Sequence, residues 1–157
     1  IVDVSNALDG EGCISDERSG VLSVRNTIAI NKTMNDEEAF FKLIAGKGGL
    51  ISHTGSNDVE ALLNQAKSDL AIKEIIDAMI YQIAKEIGAM ATVLGRDIDA
   101  ILITGGMAYA KEITDAIREK VDWIAKVHIF PGEDELKALA MGAYRYLEQT
   151  EPLKDYK

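Results

Sequence analysis

The stretch Asp97–Lys111, DIDAILITGGMAYAK, constrains the fold more than any other part of the sequence. Ile101, Leu102 and Ile103 form a short apolar run rich in β-branched residues, the pattern of a strand covered on both faces. Thr104 closes the run. Gly105 and Gly106 then remove two Cβ atoms at a point where a ligand could approach the backbone closely. A helix starting near Tyr109 would aim its free N–H groups, and the positive end of its dipole, into the same crevice. A strand, two glycines and a helix make either a nucleotide or anion site or a plain corner, and spacing alone leaves both open.

The segments that follow repeat the arrangement. Tyr109–Lys120 has Ile113 and Ile117 on one face, Val127–Phe130 is a second apolar strand, and Pro131-Gly132 ends it. Glu133–Gln149 is then a helix with Leu136, Leu139, Ala140, Ala143 and Leu147 expected inward. Two strands joined by a helix form a βαβ unit, so they should be parallel with a right-handed crossover. Both turns then fall on the carboxyl edge of one sheet, where ligands of open α/β sheets bind. Glu133, Asp134 and Glu135 sit in a first helical turn. Dipole compensation explains them, and a carboxylate near a bound Mg²⁺ is the functional alternative.

Upstream, Asp69–Leu94 is the longest helix. Ile72, Ile76, Met79, Ile83, Ile87, Met90 and Leu94 recur at spacings of three or four, and Leu70, Ile75, Ile80 and Val93 widen the stripe. The helix should lie against the sheet, with its methionines as packing. Asn35–Ala45 reads as a helix capped by Asn35, with Phe40, Phe41 and Ile44 inward and Gly46-Lys47-Gly48-Gly49 as its stop. Leu50–Thr54 is a short apolar piece, and Val21–Ile30 is ambiguous. Asn57 with Glu60 resembles a capping box opening a helix to about Ala66, so Gly55–Asn57 stand at a helix N-terminus. Ile1–Val4 has strand composition. Ser5–Gly20 is a loop with Arg18 as its one cation among Asp9, Glu11, Asp16 and Glu17. Either Arg18 forms a local ion pair, or it is presented to an acidic ligand.

The net charge of −9 argues against nucleic-acid or anionic-membrane binding through a basic surface. Cys13 is the single cysteine, which excludes an internal disulfide and a Cys-rich metal site. No apolar run approaches the length of a membrane span and no signal peptide is visible, so a cytoplasmic protein is expected. His53 precedes the Asn57 turn without metal-ligand companions, and His128 falls within a strand.

Several of these pieces together resemble the C-terminal part of the butyrate kinases, a group within the acetate kinase family. They are VDVSNALDGEGCISDERSG (Val2–Gly20), GKGGL (Gly46–Leu50), GSND (Gly55–Asp58), AMIYQIAKEIG (Ala78–Gly88), DAILITGGMAYAK (Asp99–Lys111) and PGEDELKALAMG (Pro131–Gly142). The resemblance spans essentially the whole sequence. It implies an α/β fold: part of an actin-like, RNase H-like ATPase domain of the acetate-and-sugar-kinase superfamily, with a mixed sheet flanked by helices. Residues 1–157 would be a C-terminal nucleotide-binding domain with an insertion at about residues 5–67, incomplete at its N-terminus. The first domain, which contributes to the acyl site, and a glycine-rich phosphate hairpin would lie elsewhere in a longer enzyme. The unpaired edge at Ile1–Val4 would then be completed by the remainder of the parent enzyme or by another copy in a homo-oligomer.

The resemblance also implies chemistry. Members transfer the γ-phosphoryl of ATP to a short-chain carboxylate such as butyrate, giving an acyl phosphate and ADP, and require Mg²⁺. Gly105 and Gly106 match the adenosine-binding turn. Asn57, Asp58 and Val59 match the segment near adenine and ribose. Arg18 matches the catalytic arginine of an Arg-Ser-Gly motif, and Glu135 matches the acidic position linked to the metal, with Glu133 close by. The alternatives are a non-catalytic nucleotide-binding or assembly module on the same fold, and a kinase for acetate, propionate or a branched-chain acid. A sugar kinase would need an Asp base, for which no residue is placed.

Overall fold

The computed structural model describes residues 3–34, 36–132, 134–148, 150 and 152. Among these residues seven α-helices and two strands run in the order α1 (Val24–Met34), α2 (Glu37–Ile44), α3 (Gly49–Thr54), α4 (Val59–Gln65), α5 (Leu70–Leu94), β1 (Ile101–Gly105), α6 (Lys111–Val121), β2 (Val127–Pro131) and α7 (Glu135–Leu147). Short 3₁₀ turns at Ala7–Asp9 and Gly106–Tyr109 complete the order.

The βαβ unit forms as its spacing demands. β1 and β2 are parallel, with Ile101 opposite Val127, Ile103 opposite Ile129 and Gly105 opposite Pro131, and α6 crosses between them. Among the described residues the sheet has these two strands, and one of its faces is covered. Ile101, Ile103 and Val127 pack on the core, whereas Leu102 and Phe130 are exposed, so the expected two-sided burial does not occur within the described residues. Ile1 and Val2 lie outside the described residues, and Asp3 and Val4 are in no strand.

The core lies between helices. Leu50 of α3, Leu62 of α4, Ile76, Met79 and Ile80 of α5, and Ile113, Ile117 and Val121 of α6 form one buried cluster. The stripe on α5 therefore meets mainly α6, α4 and α3 rather than the sheet itself. Asp69 caps α5 by accepting hydrogen bonds from the N–H groups of Ala71 and Ile72. Leu70, Val93 and Leu94, expected to extend the stripe, are exposed because the neighbouring helices cover only its middle. Met79 is completely buried at the centre of that stretch. Met79→Ala is expected to cost about 2–5 kcal/mol, read as a lowered denaturant midpoint. A shift under about 0.5 kcal/mol would show that the site collapses or is not core.

Several local expectations are corrected. Asn35 lies outside the described residues, and the cap of α2 is Asp36, whose carboxylate accepts from Ala39 N–H at 3.1 Å. Phe40 and Ile44 are buried, but Phe41 faces solvent, since a helix of this length has a narrow covered stripe. The Leu50–Thr54 piece is helical, as is the ambiguous Val21–Ile30 region from Val24 onward. Helix α4 is capped by Asp58, not Asn57; its Oδ1 accepts from Ala61 N–H at 2.9 Å. Leu136, Leu139 and Leu147, expected inward, are 84%, 71% and 74% exposed, because no described element packs over α7.

Candidate functional site

The chain from Gly105 to Lys111 does not enter a helix directly. Gly105 adopts φ 89°, ψ 178°, a conformation essentially restricted to glycine. A 3₁₀ turn follows, and α6 begins only at Lys111, two residues later than the expected start. Gly106 is outside the left-handed region, and a Cβ placed on it would meet nothing within 4 Å. The two glycines thus act differently: Gly105 permits the turn, and Gly106 leaves open space above it.

The Pro131-Gly132 turn is joined to this one. Gly105 N–H donates to the Gly132 carbonyl at 3.2 Å, and Gly132 N–H returns a bond to the Gly105 carbonyl at 3.1 Å. Tyr109 lies against the second turn, so closely that a Cβ on Gly132 would stand 2.8 Å from its hydroxyl. The expected convergence of two turns on one sheet edge is therefore a direct backbone link. Glu133 and the Glu135 side chain lie outside the described residues; the Glu135 backbone opens α7 just beyond this edge.

Residues Ser15–Arg18 border the same space, and they are tightly tethered. The carbonyls of Ser15 and Asp16 accept from Leu50 and Ile51 N–H at 2.9 and 3.0 Å. The Glu17 carbonyl accepts from both Gly46 and Gly48 N–H, at 2.8 and 3.0 Å. Arg18 bridges Ala45, and its N–H donates to Ser15 Oγ at 3.2 Å. Gly49 (φ 63°) permits this contact, because a Cβ there would lie 2.1 Å from the Ser15 carbonyl oxygen. The Gly46–Gly49 segment is thus a cradle for the arginine segment as well as the end of a helix. Just before it, Ile14 is buried and its N–H donates to Gln82 Oε1 of α5 at 3.1 Å. Partial burial, reinforced by Glu86 and partly offset by Lys85, pushes the Cys13 thiol pKa above its ordinary value. On α6, hydrogen bonding to Lys111 and the charges of Lys111 and Arg118 hold the Asp115 carboxyl below the usual range against a smaller opposing effect of burial.

These segments border one cleft of 810 Å³, a size usual for small-molecule sites. It is lined by Ser15–Arg18, by Val59, Glu60, Leu63 and Asn64 of α4, by Thr104, Gly105, Gly106 and Met107 of the turn, and by Tyr109, Ala110 and Glu112 beyond it. Arg18, Val59, Gly105 and Gly106 are thus brought together. Asn57 and Asp58 are not among the lining residues, and neither is His53. His128 is half-buried on β2, with its ring stacked on Phe130. Glu17 and Tyr109 also line the cleft, and Gly48 and Gly49 hold the arginine segment; no local sequence pattern marks these roles, which arise from tertiary contacts.

Arg18 is the single cation among the lining residues, beside Asp16, Glu17, Glu60 and Glu112. Among the described residues its guanidinium enters no ion pair, which removes the local-pair reading. Among the same residues no group of three His, Cys, Asp or Glu side chains is assembled to hold a metal. The oxygen-rich lining suits a Mg²⁺ held by one or two carboxylates together with ligand phosphates and water, which needs no preformed cage. No helix is long and apolar enough to cross a membrane among the described residues.

Fold and site together define an α/β domain with a cleft at the carboxyl edge of a parallel βαβ unit. The chain belongs to the Acetokinase family, whose model matches residues 7–132. It is similar in fold to a propionate kinase from Francisella tularensis (19% identity, TM-score 0.69, 80% of this chain and 39% of that one). It is also similar to the acetate kinases of Entamoeba histolytica (18%, TM-score 0.73, 86% and 43%) and Porphyromonas gingivalis (16%, TM-score 0.71, 85% and 41%). The chain thus spans about two fifths of the length of these structures.

Proposed function

We propose that this chain is the nucleotide-binding part of an ATP-dependent carboxylate kinase, which converts a short-chain carboxylate, butyrate first, and ATP into an acyl phosphate and ADP. The observation that carries the reading is an arginine, tethered by its backbone and outside every ion pair among the described residues, sharing one cleft with the Gly105–Gly106 turn. Family membership supports it. Gly105 and Gly106 take the nucleoside end, with the Asn57–Val59 segment reaching the cleft at Val59. Phosphoryl transfer asks mainly for positioning and neutralisation of charge. The attacking carboxylate oxygen is already a nucleophile, so no general base is needed. Arg18 reduces repulsion between two anionic reactants and stabilises the charge of the transferring group. Glu135 is the proposed carboxylate for Mg²⁺, which supplies neutralisation of the phosphate oxygens when bound.

The remainder of the enzyme, outside these 157 residues, is proposed to supply the acyl pocket. The bare sheet face at Leu102 and Phe130 and the bare face of α7 support a body that covers them. The test is to incubate the intact protein with ATP, Mg²⁺, butyrate and hydroxylamine and to measure acyl hydroxamate. Product is expected with butyrate or a near homologue. ATP binding without product from any acid of two to five carbons would favour the non-catalytic module instead.

Gly106→Ala separates space from stability. The added methyl meets no neighbour, so melting should be unchanged or slightly raised. ATP affinity should fall about tenfold as the methyl occupies the close-approach position. Unchanged affinity would remove Gly106 from the nucleoside site.

A further inference from the structure

We propose that Asn57 acts as a latch on Glu17, holding its carboxylate off Arg18 so that the guanidinium stays free for the ligand's anion. Asn57 Nδ2 donates to Glu17 Oε1 at 2.6 Å, across a separation of 40 residues. An ionised carboxylate only accepts hydrogen bonds, so the amide must present its NH₂ group to it. Glu17 is also the immediate neighbour of Arg18 and lines the same cleft. A free Glu17 carboxylate would be a natural partner for that guanidinium, yet among the described residues Arg18 is in no ion pair. The Glu17 backbone is meanwhile fixed by Gly46 and Gly48, so the residue swings only at its side chain. Asn57 is outside the cleft lining, which fits a residue that works through Glu17 and not by touching the ligand. Asn57 is in this sense a positioning residue. The arginine's catalytic part rests on the function proposed above; the latch itself rests on the hydrogen bond and the unpaired guanidinium.

The experiment compares the wild-type intact protein with Asn57→Ala, Glu17→Gln and the double variant. The first readout is independent of substrate: the rate at which phenylglyoxal modifies Arg18, followed by peptide mass spectrometry. Asn57→Ala should slow it by about fivefold, the scale of an exposed ion pair. The double variant should return to the wild-type rate, because the amide introduced by Glu17→Gln carries no charge to pair with Arg18. The second readout is kcat for acyl hydroxamate formation, expected to fall about fivefold in Asn57→Ala with KM for ATP unchanged, and to recover in the double variant. A merely structural hydrogen bond predicts the opposite order, with the double variant no better than Asn57→Ala. That order, or an unaltered modification rate in Asn57→Ala, overturns the latch. An inactive wild type overturns the carboxylate-kinase reading alone, since the modification rates still decide the latch.

Discussion

Replacing Arg18 with alanine is expected to lower kcat of the intact protein by about 10³-fold while KM for ATP changes by less than about threefold. The asymmetry follows from where the arginine stands. The nucleoside end of ATP is assigned to the turn at Gly105 and Gly106, a different segment of the cleft lining from Ser15–Arg18. An interaction with charge that develops during transfer is absent from the ground state, so its loss appears in kcat rather than in binding. The cleft sharpens the dependence. Among the described residues it is lined by four carboxylates and this one cation, so none of those side chains substitutes for it. Arg18→Lys should recover only part of the rate, because an ammonium is a point charge without the planar fork that matches two oxyanion oxygens. The measurement is steady-state kinetics on both variants. A large rise in KM for ATP with kcat preserved would place Arg18 in ground-state nucleotide binding instead.

How much of this was legible in the sequence depends on whether the signal was local. The βαβ unit was readable because its strands, glycine turn and crossover helix each carry their own pattern, and the parallel pairing of β1 with β2 follows from them. Helix α5 was readable from its stripe, but the extent of burial along it was not. Leu70 and Val93 fit the periodicity and are exposed, because which turns are covered depends on where α3, α4 and α6 land. The same holds for α7, whose apolar face has no described partner to bury it. The cap of α4 was misplaced by one residue because Asn57 and Asp58 are both good caps, and only geometry selects between them. At the site, Arg18, Gly105 and Gly106 stood out by residue type. The Gly46–Gly49 cradle and Glu17 did not, since their role is to hold a backbone segment about thirty residues away in sequence, and no local pattern encodes that.

Gly49→Ala is expected to be the most disruptive single methyl in the upstream half of the chain. Two costs combine at that position. Alanine at φ 63° is strained by about 1 kcal/mol or more. Its Cβ would also lie 2.1 Å from the Ser15 carbonyl oxygen and 2.8 Å from that of Arg18, both backbone atoms that cannot rotate away. Relief requires the Ser15–Arg18 segment to leave α3. That movement breaks the bonds from Leu50 to Ser15 and from Ile51 to Asp16, at about 1 kcal/mol each. The expected total is about 3 kcal/mol or more, with Arg18 displaced and kcat lost together. Gly55→Ala supplies the comparison. Gly55 has a similar φ of 78°, but a Cβ there meets nothing within 4 Å, so only the backbone strain should remain. Denaturant titration of the two variants, with hydrogen exchange at the Leu50 and Ile51 amides, separates the terms. Exchange should accelerate strongly in Gly49→Ala and stay near wild type in Gly55→Ala. Equal destabilisation by the two substitutions would mean that the arginine segment is not seated on α3 through Gly49.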